Sequence, residues 1–143
     1  MPHRERVYVA LGSNVGDREA HLAQARLRLS GLPQTELVAA SPIEETAPLG
    51  PAGQGPYLNQ MVALLTTLEP AELLAHCRSI EAEEGRERRG RWGPRTLDLD
   101  IVRFGERSVR RPELTIPHPE IANRDFWQRE IAQLDTAGPG THD

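Results

Sequence analysis

The run Thr96-Leu97-Asp98-Leu99-Asp100-Ile101 carries two carboxylates two residues apart. Side chains alternate along a strand, so Leu97, Leu99 and Ile101 share an apolar face while Asp98 and Asp100 share the opposite one. Their Cα atoms then stand about 6–7 Å apart. Ionised carboxylates held that close repel each other unless a cation lies between them. An all-oxygen pair favours Mg²⁺ or Mn²⁺ over zinc. The plain alternative is a solvated edge strand with two acids of no chemical consequence. The neighbouring loop argues against it: Arg86, Arg88, Arg89, Arg91 and Arg95 crowd the residues just before the pair, around Trp92 and Gly93-Pro94. Guanidinium forks grip phosphate oxygens bidentately and keep their charge at any working pH. Arginines and acids can also simply pair with one another. Magnesium and several arginines around one anion, however, are the equipment of phosphoryl transfer, where the protein positions groups and neutralises charge.

Other residues extend the pattern. His118 lies between Pro117 and Pro119, with Asn123-Arg124 close behind. An imidazole beside a phosphate donates a hydrogen bond or a proton. Tyr57 and Asn59 set a flat ring beside a side chain that both donates and accepts, which suits a planar heterocycle with amide-like edges. Phe126 is a second ring in a chain with six aromatic residues. Each of these aromatics could equally be core. Gly12-Ser13-Asn14-Val15-Gly16 lacks the Gly-Lys-Ser/Thr of a phosphate loop and reads as a strand-to-helix turn.

The elements that would carry these groups are legible from periodicity. Val7, Val9 and Leu11 alternate in a first strand over 6–12. Asp17 and Glu19 suit a helix N-terminus, Leu22, Ala25, Leu29 and Leu32 follow at helical spacing, and Gly31 caps the end. A second strand is expected over 36–43. An irregular, Pro- and Gly-rich loop spans 46–57, and a loop of that length in a small domain is commonly functional. A third strand is expected over 58–68. Pro70 opens a helix whose stripe is Leu73, Leu74, Cys77 and Ile80, and Gly85 stops it. After the arginine loop, a fourth strand is expected over 96–104, a short hairpin around 105–109 and a last helix near 126–134. Residues 137–143 should fray, which leaves one domain over 1–136. The order strand–helix–strand, strand–helix–strand is a split βαβ pattern. It predicts an α+β, ferredoxin-like βαββαβ sandwich: an antiparallel sheet with its helices on one face.

Composition bounds the function. The chain has 143 residues, enough for one domain with a real core. Its seventeen basic residues are all arginine, so lysine-dependent phosphate loops, kinases and Schiff-base enzymes are excluded. Residues 86–111 hold nine arginines against four acids, a local net charge of +5 on a chain of net charge -4. A basic stripe on an acidic protein points to a localised anion site. Cys77 is the single cysteine, so no internal disulfide forms, and a reducing cytoplasm is the expected location. No apolar run reaches the ~18 residues of a membrane span.

Four segments together resemble one family. They are Val9-Ala10-Leu11-Gly12-Ser13-Asn14; Pro48-Leu49-Gly50-Pro51 with Tyr57-Leu58-Asn59; Arg91-Trp92-Gly93-Pro94-Arg95-Thr96-Leu97-Asp98-Leu99-Asp100; and Leu114-Thr115-Ile116-Pro117-His118 with Asn123-Arg124. They are similar to 6-hydroxymethyl-7,8-dihydropterin pyrophosphokinase of folate biosynthesis, over about residues 6–126. The resemblance implies a ferredoxin-like fold and transfer of pyrophosphate from MgATP to the pterin hydroxymethyl group, leaving AMP. It implies two Mg²⁺ ions on Asp98 and Asp100, with Arg86 and Arg95 joining them as catalytic groups. It implies a pterin pocket of Thr46, Pro48, Leu49, Tyr57, Asn59, Trp92 and Phe126. The ATP contacts it implies are Arg86, Arg88, Trp92, Arg95, Ile101, Thr115, His118 and Arg124. Arg86, Arg88, Trp92 and Arg95 would lie on a loop that closes over the substrates. The partners are then two small molecules, with no nucleic acid and no membrane, and the chain acts as a monomer. The sequence departs from the family where Ala47-Pro48 replaces two prolines. It departs again after Phe126, where Trp127-Gln128-Arg129-Glu130 replaces an apolar Pro-Leu segment.

Two rival functions use the same residues. One is a different Mg²⁺-dependent phosphotransferase or nuclease built on Asp98 and Asp100. The other is an RNA-binding sheet, which would stack bases on aromatics of the central strands. Tyr8 is on the first strand, the third strand has no aromatic and Phe104 comes only at the end of the fourth. The acidic remainder of the chain also repels a polyanion, which disfavours the RNA reading.

Overall fold

The computed structural model describes residues 3–47, 56–85 and 96–137. In chain order the elements are β1 (Glu5–Ser13), α1 (Arg18–Ser30), β2 (Thr35–Ala40), β3 (Glu44–Thr46), β4 (Tyr57–Thr66), α2 (Pro70–Gly85), β5 (Asp98–Phe104), β6 (Val109–Arg111), β7 (Leu114–Ile116), a 3₁₀ turn (Pro119–Asn123) and α3 (Asp125–Ala137). The main sheet runs β2-β4-β1-β5, with β3 also paired to β4, and every pairing is antiparallel. The two βαβ units, β1-α1-β2 and β4-α2-β5, interleave their strands, which is the α+β ferredoxin-like arrangement.

Local chemistry sets the ends of the helices. Asp17 accepts the Ala20 N–H at 3.1 Å at the start of α1, and the Gly31 N–H bonds back to the last turn. Pro70 opens α2, where its missing N–H costs nothing. The carboxylate of Glu72 in that first turn accepts the Glu69 N–H at 2.8 Å.

The sheet is covered on both faces, which corrects the expectation of helices on one face only. Val7, Val9, Leu11, Val62, Leu64, Leu99 and Ile101 pack against Leu22 and Leu29 of α1 and Leu73, Cys77 and Ile80 of α2. The opposite face presents Tyr8, Ala10, Met61, Ala63 and Val102 to Phe126, Trp127, Ile131 and Leu134 of α3. Polar contacts lock α3 there: the Tyr8 hydroxyl donates to Asp135 Oδ1 at 2.5 Å, and Arg6 Nη2 donates to the Leu134 carbonyl at 3.2 Å.

Several boundaries differ from the periodicity. The second strand breaks at Ser41, whose Oγ accepts the Met61 N–H and whose N–H donates to the Met61 carbonyl, so the strand expected over 36–43 ends at Ala40 as β2 and β3 starts separately at Glu44. Strand β4 starts at Tyr57 and ends at Thr66, and β5 starts at Asp98 rather than Thr96. The hairpin is β6–β7 over 109–116; Gly105, at φ 55°, only turns the chain out of β5. The last helix begins at Asp125 and continues to Ala137. Residues 138–143 of the tail expected to fray lie outside the described residues. Among the described residues no helix is long and apolar enough to cross a membrane.

Candidate active site

Sheet register assembles the candidate site. Asp98 pairs with Gly12, Gly12 with Asn59, and Asn59 with Glu44. One layer on, Asp100 pairs with Ala10 and Ala10 with Met61. Directly paired residues share a face with Cβ atoms about 4.5–5.5 Å apart. The two aspartates therefore flank one side of a trough floored by Gly12, and Asn59 flanks the other; Ala10, one row on, is 4% exposed against α3. A Cβ built on Gly12 would stand 3.5 Å from both Asn59 Oδ1 and Tyr57 Cδ2, so both side chains lean over that glycine. Asn59 is 7% exposed and donates through Nδ2 to Thr46 Oγ1 at 2.6 Å, which fixes its amide with Oδ1 over the trough. Tyr57 starts β4 half-buried, opposite Thr46.

On the far side of β5 lies a cavity of about 200 Å³ lined by Asp100, Ile101, Thr115, His118, Leu114 and Leu74 among others. Four residues singled out from sequence, Asp100, Ile101, Thr115 and His118, thus share one wall system. A bulge in β5 contributes to this. Ile101 pairs with Val9 and Arg103 with Tyr8, which leaves Val102 as the extra residue. The Val102 carbonyl accepts the His118 N–H at 3.0 Å. His118 Nδ1 accepts the Glu120 N–H at 3.0 Å, so the hydrogen of the neutral ring sits on Nε2. Nε2 in turn faces Asp100 Oδ1 at 3.8 Å. Burial lowers the pKa of His118 below its ordinary value; Asp100 partly opposes that, and Arg124 adds to it.

The first turn of α3 supplies the third side. Phe126 is buried against the sheet face that carries Met61 and Ala10. Arg124, just before the helix, holds its guanidinium carbon 4.5 Å from the centre of the Trp127 ring. Of the residues singled out from sequence, Pro48, Leu49, Arg86, Arg88, Trp92 and Arg95 lie outside the described residues.

Three features of the site have no signature in the motifs. Glu81 Oε2 accepts the Leu99 N–H at 2.7 Å and Arg78 Nη1 donates to the Leu99 carbonyl at 3.3 Å, so α2 clasps the peptide between the two aspartates. Glu81 also bonds Arg78 through Oε1 at 3.0 Å. The spacing of Arg78 and Glu81 on α2, three residues apart, is the only hint in the sequence. Trp127 is the second, buried between His118 and Arg124. The third is Ser13-Asn14, read above as a simple turn. Ser13 Oγ and both polar atoms of the Asn14 side chain are buried at the trough end of β1 without a hydrogen bond among the described residues.

The donor set fits magnesium. Asp98 and Asp100 are half-buried on one strand face and offer only oxygen. Among the described residues no group of three or more His, Cys, Asp or Glu is gathered as a cage. Magnesium commonly takes one or two carboxylates and completes its shell with water and substrate phosphate, which two aspartates beside an open cavity allow.

The family model for 7,8-dihydro-6-hydroxymethylpterin-pyrophosphokinase matches residues 8–136. The chain is 46% identical over 130 residues to the 2-amino-4-hydroxy-6-hydroxymethyldihydropteridine pyrophosphokinase of Pseudomonas aeruginosa, covering 91% of this chain and 80% of that protein. It is 42% identical over 127 residues to the enzyme of the same name from Bacillus subtilis, covering 89% and 76%. The likeness spans β1 through α3, the elements that carry the trough, the aspartate pair and the His118 cavity. The chain belongs to the 7,8-dihydro-6-hydroxymethylpterin-pyrophosphokinase family.

Proposed function

We propose that the trough over Gly12 receives the pterin and the cavity beside His118 receives ATP, with Asp98 and Asp100 between the two substrates. The chain transfers a pyrophosphoryl group from ATP to the hydroxymethyl group of 6-hydroxymethyl-7,8-dihydropterin, a step in folate biosynthesis. The hydroxymethyl oxygen bonds to the β-phosphorus, the bond from that phosphorus to the α–β bridging oxygen breaks, and AMP leaves. The observation that carries the reading is the pair of carboxylates on one face of β5, with a polar-edged trough on one side and a cavity on the other.

The residues divide by chemistry. Tyr57 and Phe126 offer flat faces to the ring, and Thr46 and Asn59 offer hydrogen-bonding edges to its amide-like rim. Pro48, Leu49 and Trp92 complete that pocket by resemblance to the family. Ile101 and Thr115 line the nucleotide side. His118 aims a neutral Nε2–H, and Arg124 its guanidinium, at the polyphosphate. Arg86, Arg88 and Arg95 belong to the same task by resemblance, with Arg86 and Arg95 nearest the reacting group. Asp98 and Asp100 would hold two Mg²⁺ ions, which supply charge neutralisation of the triphosphate when bound. All these groups come from one chain, so a monomer suffices.

Calorimetry tests the reading. A non-hydrolysable ATP analogue is titrated with and without Mg²⁺, and the pterin is then added. Magnesium-dependent nucleotide binding followed by pterin binding is expected. Equal nucleotide affinity without the metal, or no heat on pterin addition, would overturn it.

A further inference from the structure

We propose that Trp127 is a positioning residue for the nucleotide half of the site, holding Arg124 and His118 toward the polyphosphate without neutralising either. The inference rests on the reading of Arg124 as a phosphate contact. Trp127 is 2% exposed, and its ring meets two groups of that half at once. The His118 ring stands edge-on to it, centroids 4.9 Å apart and planes at 90°. The guanidinium carbon of Arg124 lies 4.5 Å from its centre.

The kind of partner matters. Among the described residues Arg124 makes no ion pair with a carboxylate, and its guanidinium lies over the indole. Arg129, one turn along the same helix, is by contrast committed to Glu44 at 2.9 Å and Asp125 at 3.5 Å. A carboxylate would occupy the N–H donors of the guanidinium and cancel its charge. An aromatic face holds the cation through its quadrupole and leaves the in-plane donors free for an anion. Trp127 is itself immobilised. It packs with Met61, Val102, Ile131 and Leu134, and the Phe126 ring lies 6.4 Å away at 71°. The adjacent Gln128 donates through Nε2 to the Ile121 carbonyl at 2.9 Å, tying the first turn of α3 to the turn that carries His118.

The test compares W127F, W127L, R124M and W127L/R124M, each checked for folding by circular dichroism. Affinity for an Mg²⁺-bound non-hydrolysable ATP analogue, affinity for the pterin and kcat are measured separately. W127L should weaken the analogue about tenfold, the size of a desolvated cation–π contact. Its kcat and pterin affinity should fall by less than its affinity for the analogue, since Trp127 touches the pterin side only through Phe126. W127F keeps an aromatic face and should recover most of the loss. In the R124M background W127L should cost less than in the parent, keeping only the part that runs through His118, because residues acting as one unit are not additive. Should W127L fail to fold, W127F and W127M in the two Arg124 backgrounds give the same comparison. A Trp127 variant that lowers only thermal stability, or whose effect multiplies with R124M, overturns the proposal. R124M without effect on the analogue overturns the phosphate reading and the proposal together; R124M with effect and W127L without overturns the proposal alone.

Discussion

Glu130 of α3 is completely buried beside Glu44 of β3, and neither of its carboxyl oxygens makes a hydrogen bond of ordinary geometry. Burial, and then the neighbouring Glu44 carboxylate, push Glu130 up to about 9. Glu44 itself stays tied to Arg129. The folded protein therefore keeps a proton on Glu130 that the unfolded chain gives up near the ordinary glutamate value. Stability must fall as pH rises through that window and level off above the folded value, by on the order of 1 kcal/mol per pH unit. In E130Q an amide replaces the protonated carboxyl atom for atom. It should be more stable than the parent at pH 8, with the gain shrinking toward pH 5. Urea denaturation at pH 5, 6.5 and 8 reads this directly. Parallel pH dependence in parent and E130Q would show that Glu130 ionises normally in the fold.

Much of this architecture was legible because strands and helices advertise one face. Val7, Val9 and Leu11, and Leu97, Leu99 and Ile101, alternate as they should and pack against α1 and α2. The second covered face was hidden. Its sheet residues, Ala10, Gly12 and Ala63, are small, and Tyr8 and Met61 look like incidental apolar residues between the stronger positions. An alternation count cannot see a helix that returns from far along the chain to cover them. Strand β3 was hidden for a different reason: three residues, Glu44–Thr46, carry no period and exist because β4 offers its edge. In the site, Asp98, Asp100 and His118 announced themselves as side-chain chemistry. Glu81 and Trp127 did not, since an acid and a tryptophan on helices look like surface and core until the fold brings them to β5 and Arg124.

The aspartate pair gives the second prediction. Asp98 and Asp100 face the trough side of an edge strand, whereas the core contacts of β5 are made by Leu99, Ile101, Val102 and Phe104. Removing either carboxylate should spare the fold and remove the metal. D98A and D100A are each expected to cut AMP release by at least about 10³-fold, the scale of losing an electrostatic group that acts on the transition state. Their melting temperatures should stay close to that of the parent. Near-normal AMP release from either variant would refute the metal role.

Gly12 gives the third. A methyl group at this position meets Asn59 Oδ1 and Tyr57 Cδ2 at ordinary contact distance, so G12A should fold. The same methyl rises from the floor of the trough where the pterin is proposed to lie. Overfilling a packed site costs about 1–3 kcal/mol, so pterin affinity should fall roughly tenfold or more. G12V should be worse. The ATP analogue, proposed to lie across β5, should bind G12A as it binds the parent. Fluorescence titration with each ligand separates the two, and equal losses would mean that Gly12 matters to the sheet and not to the pterin.

The last concerns how β5 is held. Among the described residues it pairs only with β1, as an edge strand, and the Leu99 peptide between the aspartates turns its N–H and carbonyl away to Glu81 and Arg78. A buried N–H that loses its acceptor costs about 1–3 kcal/mol, and here the loss falls on the residue whose neighbours are proposed to hold the metal. E81A should therefore lower both stability and kcat, with a smaller change in substrate affinity. E81Q keeps an acceptor oxygen for the Leu99 N–H and gives up the charge together with the second oxygen that receives Arg78. It should restore kcat to within a few-fold of the parent if the hydrogen bond to Leu99 is what sets Asp98 and Asp100. If E81Q is instead as slow as E81A, the negative charge of Glu81 beside the metal site is what matters, and the clasp on Leu99 is only structural.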